Sequence, residues 1–542
     1  MIRKMKIGLV APVCNNKFYV NPLNLQIIAT KLRLLSFYKE LDVELLDRNT
    51  TYGRERIISE NFDIVIIDVP ENELECLGDA LNIIHASSVF LVGDEIKYGQ
   101  CLRILQYLRK RFGQKFTIDA SIIDDYAIAF VINKYYKRPY QNWLEASIMN
   151  NKTLDRSFLC NVDMGSLVLN FPTWMLDEYE KRGVQIFIDG IARGCENHCT
   201  FCKLNNGDFM NHKPVPSQVD AISTIESIQN NVRKRLYVQF TDENFFGGDI
   251  QRIESILTLV EQLRNINFHG LLGIDTRLDT ILRQNESLKA RNVRLHAWES
   301  MAKIGLKYCF LGVETFSPTQ AARYGKRLDL STFEKSIAYL RNLGIYYTIG
   351  LILWDPLMTV DELKTNLQFI ESHNLLGKTA SLLKPMRIMV NSKYWKRYGS
   401  QCIHKDQIHS NLYLFENVTY VDPYIQAILP FVRYAYYALD KNGYRHSDVA
   451  LFQPLCYNSK VLVEIPFLVS SFEYTLIRDL LTPQVLNANA ESVYTHINDK
   501  ICSLAKTILS GLNEFDDVQA DTLAIKRYYI SVFSRVLQSV EH

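Results

Sequence analysis

Short apolar runs and helix-spaced apolar positions alternate over the first 140 residues. The run 6–11 (KIGLVA) predicts a strand, and Leu25, Ile28, Leu32 and Leu35 predict a helix over 24–35. Residues 43–46 predict a second strand. The run 62–69 (FDIVIIDV) has the length and composition of a strand buried on both faces, and 88–92 predicts another. Strand–helix–strand alternation implies a parallel sheet with right-handed crossovers, whose ligands lie at the carboxyl ends of the strands. Residues 1–140 are thus expected to form an open, Rossmann-like α/β domain. No G-x-G-x-x-G occurs in it, so a dinucleotide is not supported. Residues 141–183, with Trp143, Pro172 and Trp174 in weakly periodic sequence, read as a surface linker.

A longer alternation starts at Val184. Strands are predicted over 184–190, 236–241, 271–275, 308–313, 347–353 and 380–390. Helices are predicted from a Ser217 cap to about 229, along the face Ile250, Ile253, Leu257 and Val260, and over 278–304. Two capping boxes, Ser331…Glu334 and Thr359…Glu362, open two more, with Phe333, Ile337 and Leu340 inward in the first and Leu363, Leu367 and Ile370 in the second. Six such repeats over 184–395 predict a partial (β/α)6 TIM-like barrel, with active residues at the carboxyl ends of its strands. Beyond residue 396 the alternation stops, Tyr and Phe cluster between Tyr413 and Tyr437, and the last stretch is amphipathic. A mainly helical C-terminal domain over 396–542 is expected, and the chain as a whole is α/β.

Composition narrows the function. The 542 residues are 47% hydrophobic and 22% charged, which fits several globular units and excludes a disordered or fibrous chain. Basic and acidic residues number 61 and 59, so no excess of positive charge points to nucleic acid. No uncharged apolar run reaches the roughly 18 residues of a membrane span. The apolar stretch after Arg3, Lys4 and Lys6 is too short for a signal peptide. A cytoplasmic chain is expected, and its 11 cysteines should then not be a disulfide framework.

Eight of these cysteines are isolated and read as small buried hydrophobes. The other three stand together in Gly190-Ile-Ala-Arg-Gly-Cys195-Glu-Asn-His-Cys199-Thr-Phe-Cys202, directly after the first barrel strand. Three thiolates at this spacing suit an iron–sulfur cubane with one iron left open. A zinc site would want a fourth ligand, which His198 or His212 could supply; the protein would then be a zinc-stabilised, non-enzymatic binding protein.

At these residues the sequence resembles the radical S-adenosylmethionine (SAM) superfamily, whose signature is C-x3-C-x-aromatic-C on that loop; Phe201 fills the aromatic position. The resemblance implies a [4Fe-4S] cluster on Cys195, Cys199 and Cys202, with SAM on the open iron. It also implies reductive cleavage of SAM to a 5′-deoxyadenosyl radical and hydrogen abstraction from the substrate. Carried over to the other strand ends, it implies Asp242 or Glu243 on the SAM ammonium, Arg277 on its carboxylate as a bidentate partner, and Glu314 near its ribose. Trp354 would stack on adenine or plug the barrel mouth.

An α/β domain ahead of such a barrel resembles the cobalamin-binding class of the superfamily. Arg193-Gly194-Cys195, Asp242…Phe245 and Gly312-Val-Glu314 followed by Gly325-Lys326 fit that class. Three departures stand against it: 12–17 (PVCNNK) carries no Asp-x-His-x-x-Gly, Gly93-Asp94-Glu95 replaces the usual glycine pair, and no Gly-Glu-Gly-Glu occurs near 118–129. Cobalamin-dependent methylation and cobalamin-free epimerisation, dehydrogenation or rearrangement are both open. Cys199-Thr-Phe-Cys202-Lys-Leu-Asn205 resembles enzymes that mature ribosomal peptides, so a peptide or small natural product is the expected substrate, with flavodoxin or ferredoxin as electron donor. Cys402 and Cys456, in the aromatic region, are candidates to return a hydrogen atom or receive an electron, the other reading being buried structural cysteines.

Overall fold

The computed structural model describes residues 3–11, 21–68, 80–92, 108–137, 167–202, 214–402 and 418–541, apart from short interruptions. The sequence features at 12–17, 93–95, 203–205 and 212, and most of the predicted linker, lie outside the described residues. Contacts divide the chain into two units. The first holds Met1–Gly194, Cys202–Lys234 and Met389–Lys393; the second holds Cys195–Phe201, Arg235–Ile388 and Tyr394–His542.

In the first unit, β1 (Met5–Ala11), β2 (Leu41–Asp47), β3 (Asn61–Asp68), β4 (His85–Val92) and β5 (Thr117–Ala120) form a parallel sheet in the order β2-β1-β3-β4-β5. Helices α1 (Leu23–Arg33), α2 (Thr51–Ser59) and α3 (Asp124–Tyr135) accompany it. The run in β3 is apolar because Val65, Ile66 and Ile67 are fully buried, as a strand covered on both faces requires. Strand order reverses between β1 and β3, and the crevice for a ligand in such sheets lies at that point, beyond the carboxyl ends.

The predicted linker contains a helix, α4 (Thr173–Arg182), which buries Met175 and Tyr179. Only two apolar anchors in a strongly charged decapeptide hid its period. After it come β6 (Ile186–Ile188) and a short antiparallel pair, β7 (Ala192–Arg193) with β8 (Val215–Pro216). Helix α5 (Ala221–Gln229) is capped by Asp220, not by the expected Ser217; the Ser217 hydroxyl instead accepts from the Val219 amide at 3.0 Å.

In the second unit, β9 (Tyr237–Phe240), β10 (Leu271–Arg277), β11 (Leu306–Glu314) and β12 (Tyr346–Leu351) are parallel neighbours in sequence order. They alternate with α6 (Ile250–Asn265), α7 (Leu288–Ile304), α8 (Pro318–Tyr324) and α9 (Phe333–Asn342); α10 (Val360–Ser372) follows β12. Helix α7 starts ten residues later than expected, because Leu278–Thr280 forms a separate single turn and Ser287 caps the helix. Helix α8 was not foreseen. The capping box at Thr359 and Glu362 forms reciprocally, whereas Thr332 caps α9 without a side-chain bond.

No regular strand is seen among the described residues of 380–390. Single bridges pair Ile349 with Thr379 and Trp354 with Pro385. Pro385 cannot donate to a ladder, and the Leu382 amide donates to the buried Glu473 carboxylate at 2.8 Å instead.

Burial alternates along β10 and β11. Ile274, Thr276, Cys309, Leu311 and Val313 are buried toward the helices, while Asp275, Arg277, Phe310, Gly312 and Glu314 keep some exposure on the opposite, inner face. Tyr237, Leu271 and Tyr308 close the amino end of that face, packed against Leu455 of α13 (His446–Cys456). The remaining C-terminal helices are α11 (Lys393–Cys402), α12 (Pro423–Asp440), α14 (Lys460–Leu480), α15 (Ala490–Asn513) and α16 (Ala520–Glu541). Among the described residues no helix is long and apolar enough to cross a membrane. Replacing Thr359 by Ala should lower stability by about 1 kcal/mol through loss of the cap, read as a reduced denaturant midpoint.

Candidate metal centre

The loop Gly190–Cys202 follows β6. At its base Arg193 pairs with the buried Asp189 at 3.1 Å. Cys199 is buried, Cys195 and Cys202 are partly buried, and none is in a disulfide. The Cys195 sulfur accepts from Asn197 Nδ2 at 3.3 Å. Burial pushes the Cys195 thiol up, with the charges of Glu196 and Cys199 adding to it against that hydrogen bond. Among the described residues no three His, Cys, Asp or Glu side chains converge tightly enough for a single ion. Three thiols on one loop are the soft donor type that iron–sulfur clusters take.

Backbone bonds within the second unit fix the loop's far side. The Thr200 amide donates to the Tyr324 carbonyl at 2.8 Å, its hydroxyl to the Arg323 carbonyl at 2.9 Å, and its carbonyl accepts from the Tyr394 amide at 2.9 Å. Phe201 meets Tyr324 edge-on, with centroids 5.4 Å apart. Gly325 ends α8 at φ 66°, and a Cβ there would come within 3.3 Å of the His198 carbonyl and the Thr200 methyl.

Behind this contact lies Asp355, with no exposed surface. Arg323 grips it with Nε at 3.1 Å and Nη2 at 2.8 Å, Gln320 donates at 2.8 Å, Tyr324 at 3.0 Å and Tyr394 at 2.8 Å. Arg323 also bonds Glu362, through Nη1 at 3.2 Å and Nη2 at 2.8 Å.

The expected site residues fall at the carboxyl ends of β9 to β12. Asp242 is buried and accepts from Arg252 Nη2 at 2.6 Å, while Glu243 beside it is partly exposed. Asn244, which the sequence reading passed over, links three elements: its Nδ2 donates to Glu196 at 3.0 Å, and its Oδ1 accepts from Thr276 at 3.0 Å and the Arg277 amide at 3.3 Å. Arg277 does not present its bidentate edge outward as expected. Nε and Nη2 each donate to Asp279 at 2.9 Å, and Nη1 stands 3.5 Å from the Cys199 sulfur. Burial alone would weaken the Arg277 charge, but the Asp279 hydrogen bond outweighs it and holds the pKa above the ordinary value.

Glu314 sits at φ 72°, beyond a bulge in β11, and accepts from Lys326 at 3.0 Å; Lys326 also donates to the Gly312 carbonyl at 2.8 Å. A positive φ at a residue other than glycine stores about 1–3 kcal/mol of strain, and such strain clusters at functional sites. Trp354 is fully buried, and its ring N–H donates to the Leu382 carbonyl at 2.6 Å. It therefore plugs the core and does not offer a face to adenine. Cys456 ends α13 and is buried; Cys402 ends α11, and its side chain lies outside the described residues.

A second unforeseen residue is Asp275, on the inner face, which accepts from Gln239 Nε2 at 3.1 Å. Burial, with Glu243 and Asp242 adding like charge, pushes it up to about 7. Its position within a strand, after the apolar run Leu271–Ile274, gives no sign of a functional role in the sequence.

No family model matches the chain. Two curated relatives are similar over part of it. The 4′-phospho-dehydrooxetanocin synthase of Priestia megaterium is 32% identical over 212 residues, 36% of this chain and 26% of that protein. The hopanoid C-3 methylase of Methylococcus capsulatus is 24% identical over 169 residues, 30% of this chain and 28% of that protein. The chain thus spans about a quarter of the length of the curated relatives it matches. Among solved structures, the cobalamin-dependent SAM radical enzyme OxsB with aqua-cobalamin bound covers 98% of this chain and 84% of its own, at 16% identity and a TM-score of 0.63. The radical SAM methyltransferase TsrM from Kitasatospora setae, with cobalamin and a [4Fe-4S] cluster, covers 73% and 75%, at 12% identity and a TM-score of 0.55. The α/β fold described above is the one these cobalamin-dependent radical SAM enzymes share.

Two outcomes follow from the geometry. Asp355→Ala strips the buried Arg323 of one partner and should cost about 3–5 kcal/mol, read from chemical denaturation. Asp275 binds a proton in the folded chain that the unfolded chain releases near 3.8, so its stabilising contribution is complete below that value and is lost as pH rises through about 7. The drop in thermal midpoint between pH 5 and pH 8 should therefore be smaller in Asp275→Asn than in the parent protein.

Proposed function

We propose that this chain is a radical SAM enzyme that also binds cobalamin and acts on a peptide or small natural product. The C-x3-C-x2-C loop at the carboxyl end of β6 carries the reading. It is supported by the likeness in fold, over nearly the whole chain, to a cobalamin-dependent radical SAM enzyme.

Cys195, Cys199 and Cys202 would hold three irons of a [4Fe-4S] cluster and leave the fourth to SAM. The chemistry supplied by the bound group is one-electron reduction of SAM to methionine and a 5′-deoxyadenosyl radical, which takes a hydrogen atom from the substrate. The protein's own residues bind and orient. Asp242, which pairs with Arg252, or Glu243 beside it is proposed to receive the SAM ammonium by a charge-assisted bond. Glu314, aimed by its left-handed backbone and steadied by Lys326, is proposed to meet the ribose. Phe201 packs on Tyr324 and keeps the cysteine loop seated, and Trp354 excludes water from the core behind it. The inner face of β10 and β11 is proposed to receive the substrate.

Cobalamin is proposed at the carboxyl edge of the first sheet, where the strand order reverses. With cobalamin the reaction would be C-methylation; without it, epimerisation, dehydrogenation or rearrangement. A low-potential donor such as flavodoxin or ferredoxin would deliver the electron.

Anaerobic reconstitution with iron and sulfide should give a brown protein that forms 5′-deoxyadenosine from SAM after reduction. Replacing Cys195, Cys199 and Cys202 together by Ala should abolish the iron and reduce 5′-deoxyadenosine to background. Stoichiometric zinc without iron in the purified parent protein would overturn the reading. After incubation with hydroxocobalamin and desalting, a retained corrin spectrum is expected; its absence would leave the cobalamin-free branch.

A further inference from the structure

We infer that Arg277, held in place by Asp279, sets the reduction potential of the cluster by hydrogen bonding to the Cys199 sulfur. The inference rests on the cluster assignment above and adds a positioning and tuning role that the three ligands alone do not supply.

Arg277 closes β10 and stands 3.5 Å from Cys199 Sγ through Nη1. Its other donors do not swing freely, because Nε and Nη2 are both bound to Asp279 at 2.9 Å, which fixes the guanidinium plane. Its backbone amide is tied to Asn244, and Asn244 is tied to Glu196 in the cysteine loop itself. Strand, turn and loop thus move together, and the distance from donor to sulfur is set by the fold. The Arg277 side chain is only 14% exposed, whereas Asp279 is 46% exposed. Solvent therefore screens the carboxylate more than the guanidinium, and the guanidinium is the member of the pair that meets the sulfur. Asn197 makes a second N–H contact of the same kind, to Cys195 at 3.3 Å.

Donors to ligand sulfur draw electron density from the thiolate. They favour the reduced cluster, which carries one more negative charge, and so raise its potential. Removing the cation should make reduction harder. Removing its counter-charge should make reduction easier, because the guanidinium then acts uncompensated. A purely structural role for the pair would not produce shifts of opposite sign.

The test is an EPR-monitored redox titration of the anaerobically reconstituted full-length chain, without substrate, with iron and sulfide content measured for every variant. Arg277→Gln should lower the one-electron equilibrium constant for reduction at least tenfold, a negative shift of about 59 mV. Asp279→Asn should shift the potential in the positive direction. Arg277→Lys keeps the charge but cannot bridge Asp279 and Cys199 with one planar fork, and should fall between the parent and Arg277→Gln. If Arg277→Gln fails to hold a cluster, the Lys and Asn variants carry the comparison. Unchanged potentials, or shifts of the same sign in the Arg277 and Asp279 variants, would overturn the inference and leave the cluster assignment standing. A parent protein that assembles no iron–sulfur cluster would instead overturn the functional reading itself.

Discussion

Asp355 has no exposed surface, and a carboxylate in that position is tolerable only because donors from five residues converge on it: Arg323, Gln320, Tyr324, Tyr394 and the Leu357 amide. These residues come from α8, from α11 and from the turn after β12 itself. Two of them, Arg323 and Tyr324, offer their backbone carbonyls to Thr200, and a third, Tyr394, donates its amide to the same residue. The buried charge therefore positions the cysteine loop at one remove. Cys199 is adjacent in the chain to the residue clamped by that network.

Electrostatics around the loop follow the same logic of pairing at strand ends. Asp242 with Arg252, Asp279 with Arg277, and Glu314 with Lys326 close β9, β10 and β11 in turn. Each pair fixes a side chain that would otherwise have several rotamers, so the rim is organised before any ligand arrives. Pre-ordered dipoles of this kind need little rearrangement when charge changes nearby. Asp275 lies one alternation below this rim. It is bonded to a neutral amide instead of a cation, and burial together with the charges of Glu243 and Asp242 raises its pKa.

The periodic parts of the fold were legible in the sequence. The apolar runs of β1, β3, β4, β11 and β12 gave strands within a few residues of their observed ends, because a strand covered on both faces must be apolar almost throughout. The cysteine spacing was legible for a chemical reason, since few functions need three thiols within eight residues. What was missed depends on tertiary partners. Helix α8 is seven residues long and is stabilised by Gln320, Arg323 and Tyr324 reaching Asp355, a contact that no local pattern encodes. The predicted last strand failed because Glu473, about ninety residues away, takes its amide. Arg277 reads in the sequence as a partner for a ligand carboxylate, because nothing there shows that Asp279, two residues on, folds back onto its fork. Prolines inside α12, α13 and α14 also masked long helices whose packing overrides the local penalty.

The seal that Leu455 makes against Tyr237, Leu271 and Tyr308 couples the two ends of this unit in a way that sequence order conceals. A chain stopped before residue 446 would keep β1 to β12 and the three clustered cysteines, yet it would remove Leu455 from the apolar cluster of Tyr237, Leu271 and Tyr308. The C-terminal helices are thus not an appendage that can be trimmed to obtain a minimal core. Through Leu455 they cover the amino end of the inner face with apolar surface, so the strand ends that carry Asp275, Arg277 and Glu314 rest on a packed base.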